Sequence, residues 1–317
     1  MIAVHIASGK LSVIDTPKPK VKAGHALLRL RLAGICNTDL ELLRGYYGFS
    51  GIPGHEFVAD VMTGRLKGKR VVGEINLACG RCDFCQSGMG RHCAKRSVLG
   101  IVRHPGAFAE YLTLPEENLL TVPAALADEE AVFTEPLAAA CEILEQVRFA
   151  KGAEVAVLGD GKLGLLIAQV LQLAGLRVDL FGRNQPKMDL LRPLGVNGKL
   201  VSRIHPRLPQ SLYQYVIDAT GSTAGLEAAM QMVRPRGTIV MKSTVAGKLT
   251  LDTAPLIVNE ISLVGSRCGR FSKALKLLKT GDLILQGMIT ERKKLSEAVA
   301  GFQAAEQPGA LKVLLEP

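Results

Sequence analysis

Tryptophan is absent from this 317-residue chain, and all aromatic residues together make up only 4% of it. Apolar residues still account for 48% and charged residues for 21%, which excludes a disordered chain and describes a globular one. No apolar run is long enough to cross a bilayer, so neither a spanning helix nor a membrane partner is expected. The opening Met1-Ile-Ala-Val-His-Ile lacks the basic-then-apolar pattern of a secretory leader and reads as a first strand, so the expected location is cytoplasmic. Internal repeats and low-complexity linkers are also missing. At this length one ordinary core is too few, and two domains, or one interrupted by another, are expected.

The formal charge is +10, yet lysine and arginine are scattered, with only short clusters such as Arg292-Lys-Lys294. That scatter argues against nucleic acid as a partner. A basic surface either steers small anions, such as an anionic cofactor, toward a cleft or serves solubility alone.

Seven cysteines in a reducing compartment read as metal ligands and buried thiols rather than disulfides. Cys79, Cys82, Cys85 and Cys93 form the pattern C-x2-C-x2-C-x7-C, which closes four thiolates around one tetrahedral zinc. With every coordination place filled by sulfur, that zinc is structural and contributes to folding rather than chemistry. A redox C-x-x-C pair or an iron-sulfur cluster are the alternatives. Against the cluster, Cys93 follows too late and no proline comes after it.

Residues 1–123 are rich in glycine and short β-like runs, which predicts small twisted sheets or a barrel. Residues 124–149 have helical spacing interrupted by Pro136, which predicts two helices. A buried strand at Glu154-Val-Ala-Val-Leu-Gly159, a helix over residues 162–174 and a strand at Arg177-Val-Asp-Leu-Phe181 make a βαβ unit. Further strands at residues 215–218, 237–241 and 261–264 imply a parallel, doubly wound α/β sheet. Two helices and a terminal strand at residues 311–315 complete the pattern.

Between the first of these strands and its helix lies Gly159-Asp-Gly161-Lys-Leu-Gly164, a G-x-G-x-x-G turn that lets backbone approach a pyrophosphate. A site for NAD normally ends the second strand with an acidic residue that holds the ribose hydroxyls. Here the strand ends in Gly182-Arg183-Asn184, with Lys187 nearby, and Asp179 comes three residues too early. Glycine leaves room for an additional phosphate and Arg183 offers planar donors to it, so NADP(H) is expected over NAD(H).

Cys36, His55 and Glu135 are further potential metal ligands, each ordinary in isolation. Together with the four-cysteine loop and the later glycine motif, in this order, they resemble the zinc-dependent medium-chain alcohol and polyol dehydrogenases. Gly106-Ala-Phe-Ala-Glu-Tyr111 and the ending Leu311-Lys-Val-Leu-Leu-Glu-Pro317 extend the likeness over nearly the whole chain. The resemblance implies a β-rich GroES-like catalytic domain at residues 1–123, to which residues 268–317 return, and a Rossmann domain at residues 124–267. It also implies an active site in the cleft between them and a homodimer or homotetramer.

By the same resemblance Cys36, His55 and Glu135 hold a catalytic zinc, and Glu56 is a direct or intermittent ligand. Asp39 orients His55, Thr38 passes the alcohol proton outward, and Lys312 contacts the cofactor pyrophosphate or lies exposed on its strand. Two departures stand out. Glu41 occupies the place of a relay histidine, and the connection at residues 62–70 is short. Tyr46 and Tyr47 either line the pocket or only pack the domain. The expected activity is hydride transfer between NADP(H) and a secondary alcohol of polyol, sugar or cyclitol type, a small-molecule alcohol or carbonyl substrate. The alternatives are a hydroxyalkyl group on a larger apolar metabolite or pigment, and a catalytically silent NADP-binding sensor.

Overall fold

The structure is a computed structural model that describes residues 1–201, 208–243 and 251–317. Two compact units divide the chain. The first comprises Met1–Glu135, Phe271–Gly281 and Leu285–Pro317, and the second Pro136–Arg270 with Asp282–Ile284.

The first unit is built on a seven-stranded sheet. The long strand His25–Gly34 is central, pairing with Glu56–Val61, Tyr111–Pro115 and Lys312–Glu316. Its alternation is the period-two signature of a half-buried strand: Leu28, Leu30 and Leu32 point into the core, while Arg29 and Arg31 point out. The two arginines meet Asp60 and Asp128 at 3.0 and 2.7 Å.

This unit runs on past Pro123 to Glu135. Arg70 accounts for the extension, since its guanidinium donates to the Pro123 carbonyl at 2.7 Å and to Asp128 at 2.8 Å. The short helix Asp128–Ala131 is thereby tied to the sheet, with Ala131, Val132 and Phe133 buried. The brief connection after Glu56–Val61 closes as a turn toward Arg70–Gly73, and the Arg65 N–H donates to Glu116 at 3.0 Å.

The second unit is a six-stranded, wholly parallel sheet. Numbered in chain order, Glu154–Leu158, Arg177–Gly182, Asn197–Leu200, Tyr213–Asp218, Val233–Met241 and Ser262–Gly265 lie in the order 3-2-1-4-5-6. That is the Rossmann order, and its switch point falls beside Glu154–Leu158. Val155, Ala156 and Val157 are fully buried, which is why that strand reads as an unbroken apolar run. The helix Lys162–Leu173 follows it.

Candidate active site

Cys36 stands where the central strand of the first unit gives way to the helix Asn37–Leu43. Asp39 folds back to accept the Cys36 N–H at 2.9 Å, and its other oxygen accepts the Gly54 N–H at 3.1 Å. One buried carboxylate therefore fixes both loops that carry candidate ligands. That second oxygen also lies 3.3 Å from His55 Nδ1, a close polar contact without hydrogen-bond alignment. Burial alone would lower the His55 imidazole, but Asp39 and Cys36 outweigh it and leave it raised well above its ordinary value. Thr38 Oγ1 is 3.8 Å from Cys36 Sγ.

Cys36, His55 and Glu56 bring sulfur, nitrogen and oxygen donors within 4.8 Å of one another. Glu135, expected as the third ligand, stands outside that group, in the first turn of the helix Thr134–Gln146. Glu56 reaches the group from across the sheet, where its partner Gly34 has no side chain to displace it. A Cβ at Gly34 would lie 2.6 Å from Glu56 Oε2 and 3.1 Å from Lys312 Cδ.

Lys312 is not exposed on its strand. It is 1% exposed and its ammonium is bound to Glu56 Oε2, with the Phe133 ring 5.5 Å away. Burial would lower the lysine, but the charges of Glu56, Cys36 and Glu135 reverse this and raise it. Among the described residues, Glu56 Oε1 is buried without a hydrogen-bond partner. A buried carboxylate oxygen left unpaired is costly unless a cation completes it. With soft and borderline donors beside it, the set fits zinc.

The four-cysteine loop passes a geometric test. Bonds of about 2.3 Å from zinc to sulfur place tetrahedral sulfurs about 3.8 Å apart. Here the Cys79–Cys85, Cys82–Cys85 and Cys82–Cys93 separations are 3.9, 3.4 and 3.7 Å. Backbone N–H groups of Arg81 and Cys82 lower the Cys79 thiol to about 6, whereas burial and the neighbouring sulfurs push Cys85 up to about 11.

In the second unit, Gly159 has φ +107°, and a Cβ at Gly164 would collide with the Gly159 carbonyl, so both positions require glycine. A Cβ at Gly161 would meet nothing within 4 Å. The open side of the turn, ahead of a helix N-terminus, fits a pyrophosphate. The room expected at Gly182 is taken, however. A Cβ there would lie 2.6 Å from Asp160 Oδ2, and that oxygen accepts the Arg183 and Asn184 N–H groups at 2.7 and 2.6 Å. The Arg183 side chain is exposed, and Asn184 caps the next helix by accepting the Lys187 N–H at 3.1 Å. Asp179 is occupied by Asn197 and Tyr213. Asp160 escaped the sequence reading although its signal was present, as the variable letter inside the glycine motif.

Glu41 is bound to Arg44 at 2.7 Å and is not placed as a relay. Tyr47, 68% exposed, lines an open groove of about 920 Å³ that contains none of Cys36, His55 or Glu56.

The alcohol dehydrogenase GroES-like domain family matches residues 22–124, and the zinc-binding dehydrogenase family matches residues 163–280. A D-altritol 5-dehydrogenase of Agrobacterium fabrum is 28% identical, with 97% of each chain covered. An L-threonine 3-dehydrogenase of Chelativorans sp. is 29% identical over 95% of this chain and 93% of the relative. Among solved structures, a zinc-binding dehydrogenase of Sinorhizobium meliloti bound to NADP superimposes with a TM-score of 0.89 at 27% identity, covering 100% of this chain and 99% of its own. Two family matches, metal donor sets of the right chemistry and a Rossmann glycine turn agree, and the chain belongs to the zinc-dependent medium-chain dehydrogenase superfamily as an oxidoreductase of the alcohol and polyol dehydrogenase type.

Proposed function

We propose that this enzyme interconverts a secondary alcohol and its ketone on a small polyhydroxy compound of polyol, sugar or cyclitol type. The observation that carries this reading is the Cys36, His55 and Glu56 donor set, three protein donors that leave a tetrahedral ion one place for substrate. The two curated relatives named above act, by their names, on secondary alcohols, one of them a polyol.

Zinc, when bound, supplies the Lewis acid that polarises the carbinol oxygen, and the nicotinamide supplies the hydride acceptor. The chain's own residues do the rest. Cys36 and His55 are held at fixed spacing by Asp39, whose carboxylate sits between their loops. Thr38 Oγ1, close to Cys36 Sγ, takes the carbinol proton and passes it outward. Lys312 holds one oxygen of Glu56 and leaves the other for the ion. Cys79, Cys82, Cys85 and Cys93 hold a second zinc that shapes their loop alone.

The test follows nicotinamide absorbance as the zinc-loaded protein meets polyols, sugars, cyclitols and simple alcohols with each nicotinamide cofactor. Turnover of a polyhydroxy substrate is the expected result, and Thr38→Val is expected to lower kcat about 10²-fold or more. Turnover confined to simple or apolar alcohols would overturn the assignment.

A further inference from the structure

We propose that Asp160, from inside the glycine turn, is the residue that selects the dinucleotide, favouring NAD(H) and rejecting the additional phosphate of NADP(H). The inference rests on the dinucleotide-dependent activity proposed above and deepens it.

At the end of the second Rossmann strand the adenosine ribose normally meets a carboxylate borne by that strand. This chain has Gly182 there, and the Asp160 side chain lies against it, with Cβ, Cγ and Oδ2 all 2.6–2.7 Å from where a Cβ would stand. The carboxylate arrives from the neighbouring loop but occupies the same place. Its position is fixed by two short hydrogen bonds from the Arg183 and Asn184 N–H groups.

Three consequences follow for a phosphate on the ribose. The space beside Gly182 is filled. The two backbone donors that would greet an anion already serve Asp160. A phosphate dianion also meets a fixed negative charge at contact distance, whereas ribose hydroxyls meet an acceptor. Burial lowers the half-buried Lys187 ammonium below its ordinary value, and the Asp160 charge only partly opposes this. Arg183, exposed, adds charge at the rim without displacing it.

Calorimetric titration of the zinc-loaded full chain with NAD and with NADP tests this without relying on turnover. The wild-type chain is expected to bind NAD about tenfold or more tighter than NADP, roughly 1.4 kcal/mol of discrimination. Asp160→Ala should shrink that ratio at least about tenfold, weakening NAD and strengthening NADP. Asp160→Asn, which keeps an acceptor for the two N–H groups, should shift the ratio in the same direction if the alanine variant fails to fold. The double variant Asp160→Gly with Gly182→Asp, which moves the carboxylate back to the strand, should restore preference for NAD. Tighter binding of NADP by the wild type, or a ratio unmoved by both substitutions, would overturn the role of Asp160 while leaving the enzyme reading intact. Binding of neither nucleotide would overturn the cofactor reading itself, and this inference with it.

Discussion

Gly34, Glu56 and Lys312 form a unit in which the glycine exists so that the other two can meet. The pair is almost wholly removed from water, with Lys312 1% and Glu56 0% exposed. Buried ion pairs of this kind are weak evidence for net stability, but breaking one strands a charge. Lys312→Met is therefore expected to cost about 3–5 kcal/mol in urea denaturation, and Glu56→Gln combined with it to recover most of that loss. A single variant within about 1 kcal/mol of wild type would show that Glu56 is neutralised in some other way. Glu56 and Lys312 were each singled out by the resemblance, but their pairing was not legible, because 256 positions separate them in the chain. The four clustered cysteines were legible from their spacing, since metal ligation restricts residue type and spacing, whereas Cys36 and His55 stood out only through the family resemblance. The closeness of Glu56 to Cys36 and His55 was not legible, because it depends on which carboxylate the sheet places opposite a glycine.

Within the four-cysteine loop, the short helix Asp83–Gln86 buries no residue. An ion held there would order the loop, so its binding free energy would be folding free energy. Cys82→Ser is expected to lower zinc content by about one ion per chain and to reduce Tm, while NAD affinity, carried by the other unit, stays unchanged. Unaltered zinc content would remove the loop as a site. The period of the pattern decided which elements the sequence revealed. Glu154–Leu158 and Lys162–Leu173 match their expected ranges to within a residue because each is deeply buried. Asn197–Leu200 and Ile289–Lys294 escaped because they are polar, lie at sheet edges and owe their extension to one neighbouring strand each. The second of these alternates half-buried and exposed positions, but two of its half-buried letters, Glu291 and Lys293, are charged.

For the molecule as a whole, the acid limit of stability is expected to reflect His104. Burial holds its imidazole below the ordinary 6.5, despite the Nδ1 contact to the Pro105 carbonyl at 2.8 Å, with His25 and Lys22 adding smaller contributions in the same direction. A base whose folded value is depressed binds protons more readily when unfolded, so its contribution is complete above pH 6.5 and is lost as the pH falls through the folded value. Urea midpoints at pH 8 and pH 5.5 should therefore differ less in His104→Gln than in the wild type; an identical difference would assign the acid limit elsewhere.

The two units also differ in when the ribosome can finish them. All six Rossmann strands are present once the chain has passed Gly265, and the last short piece of that unit ends at Ile284. The other unit includes Met1–Glu135 yet inserts Lys312–Glu316 between its central strand and Ile289–Lys294, so its sheet stays open until that strand emerges. During that interval Glu56 has no ammonium to face, and the half of the protein translated first is the half completed last.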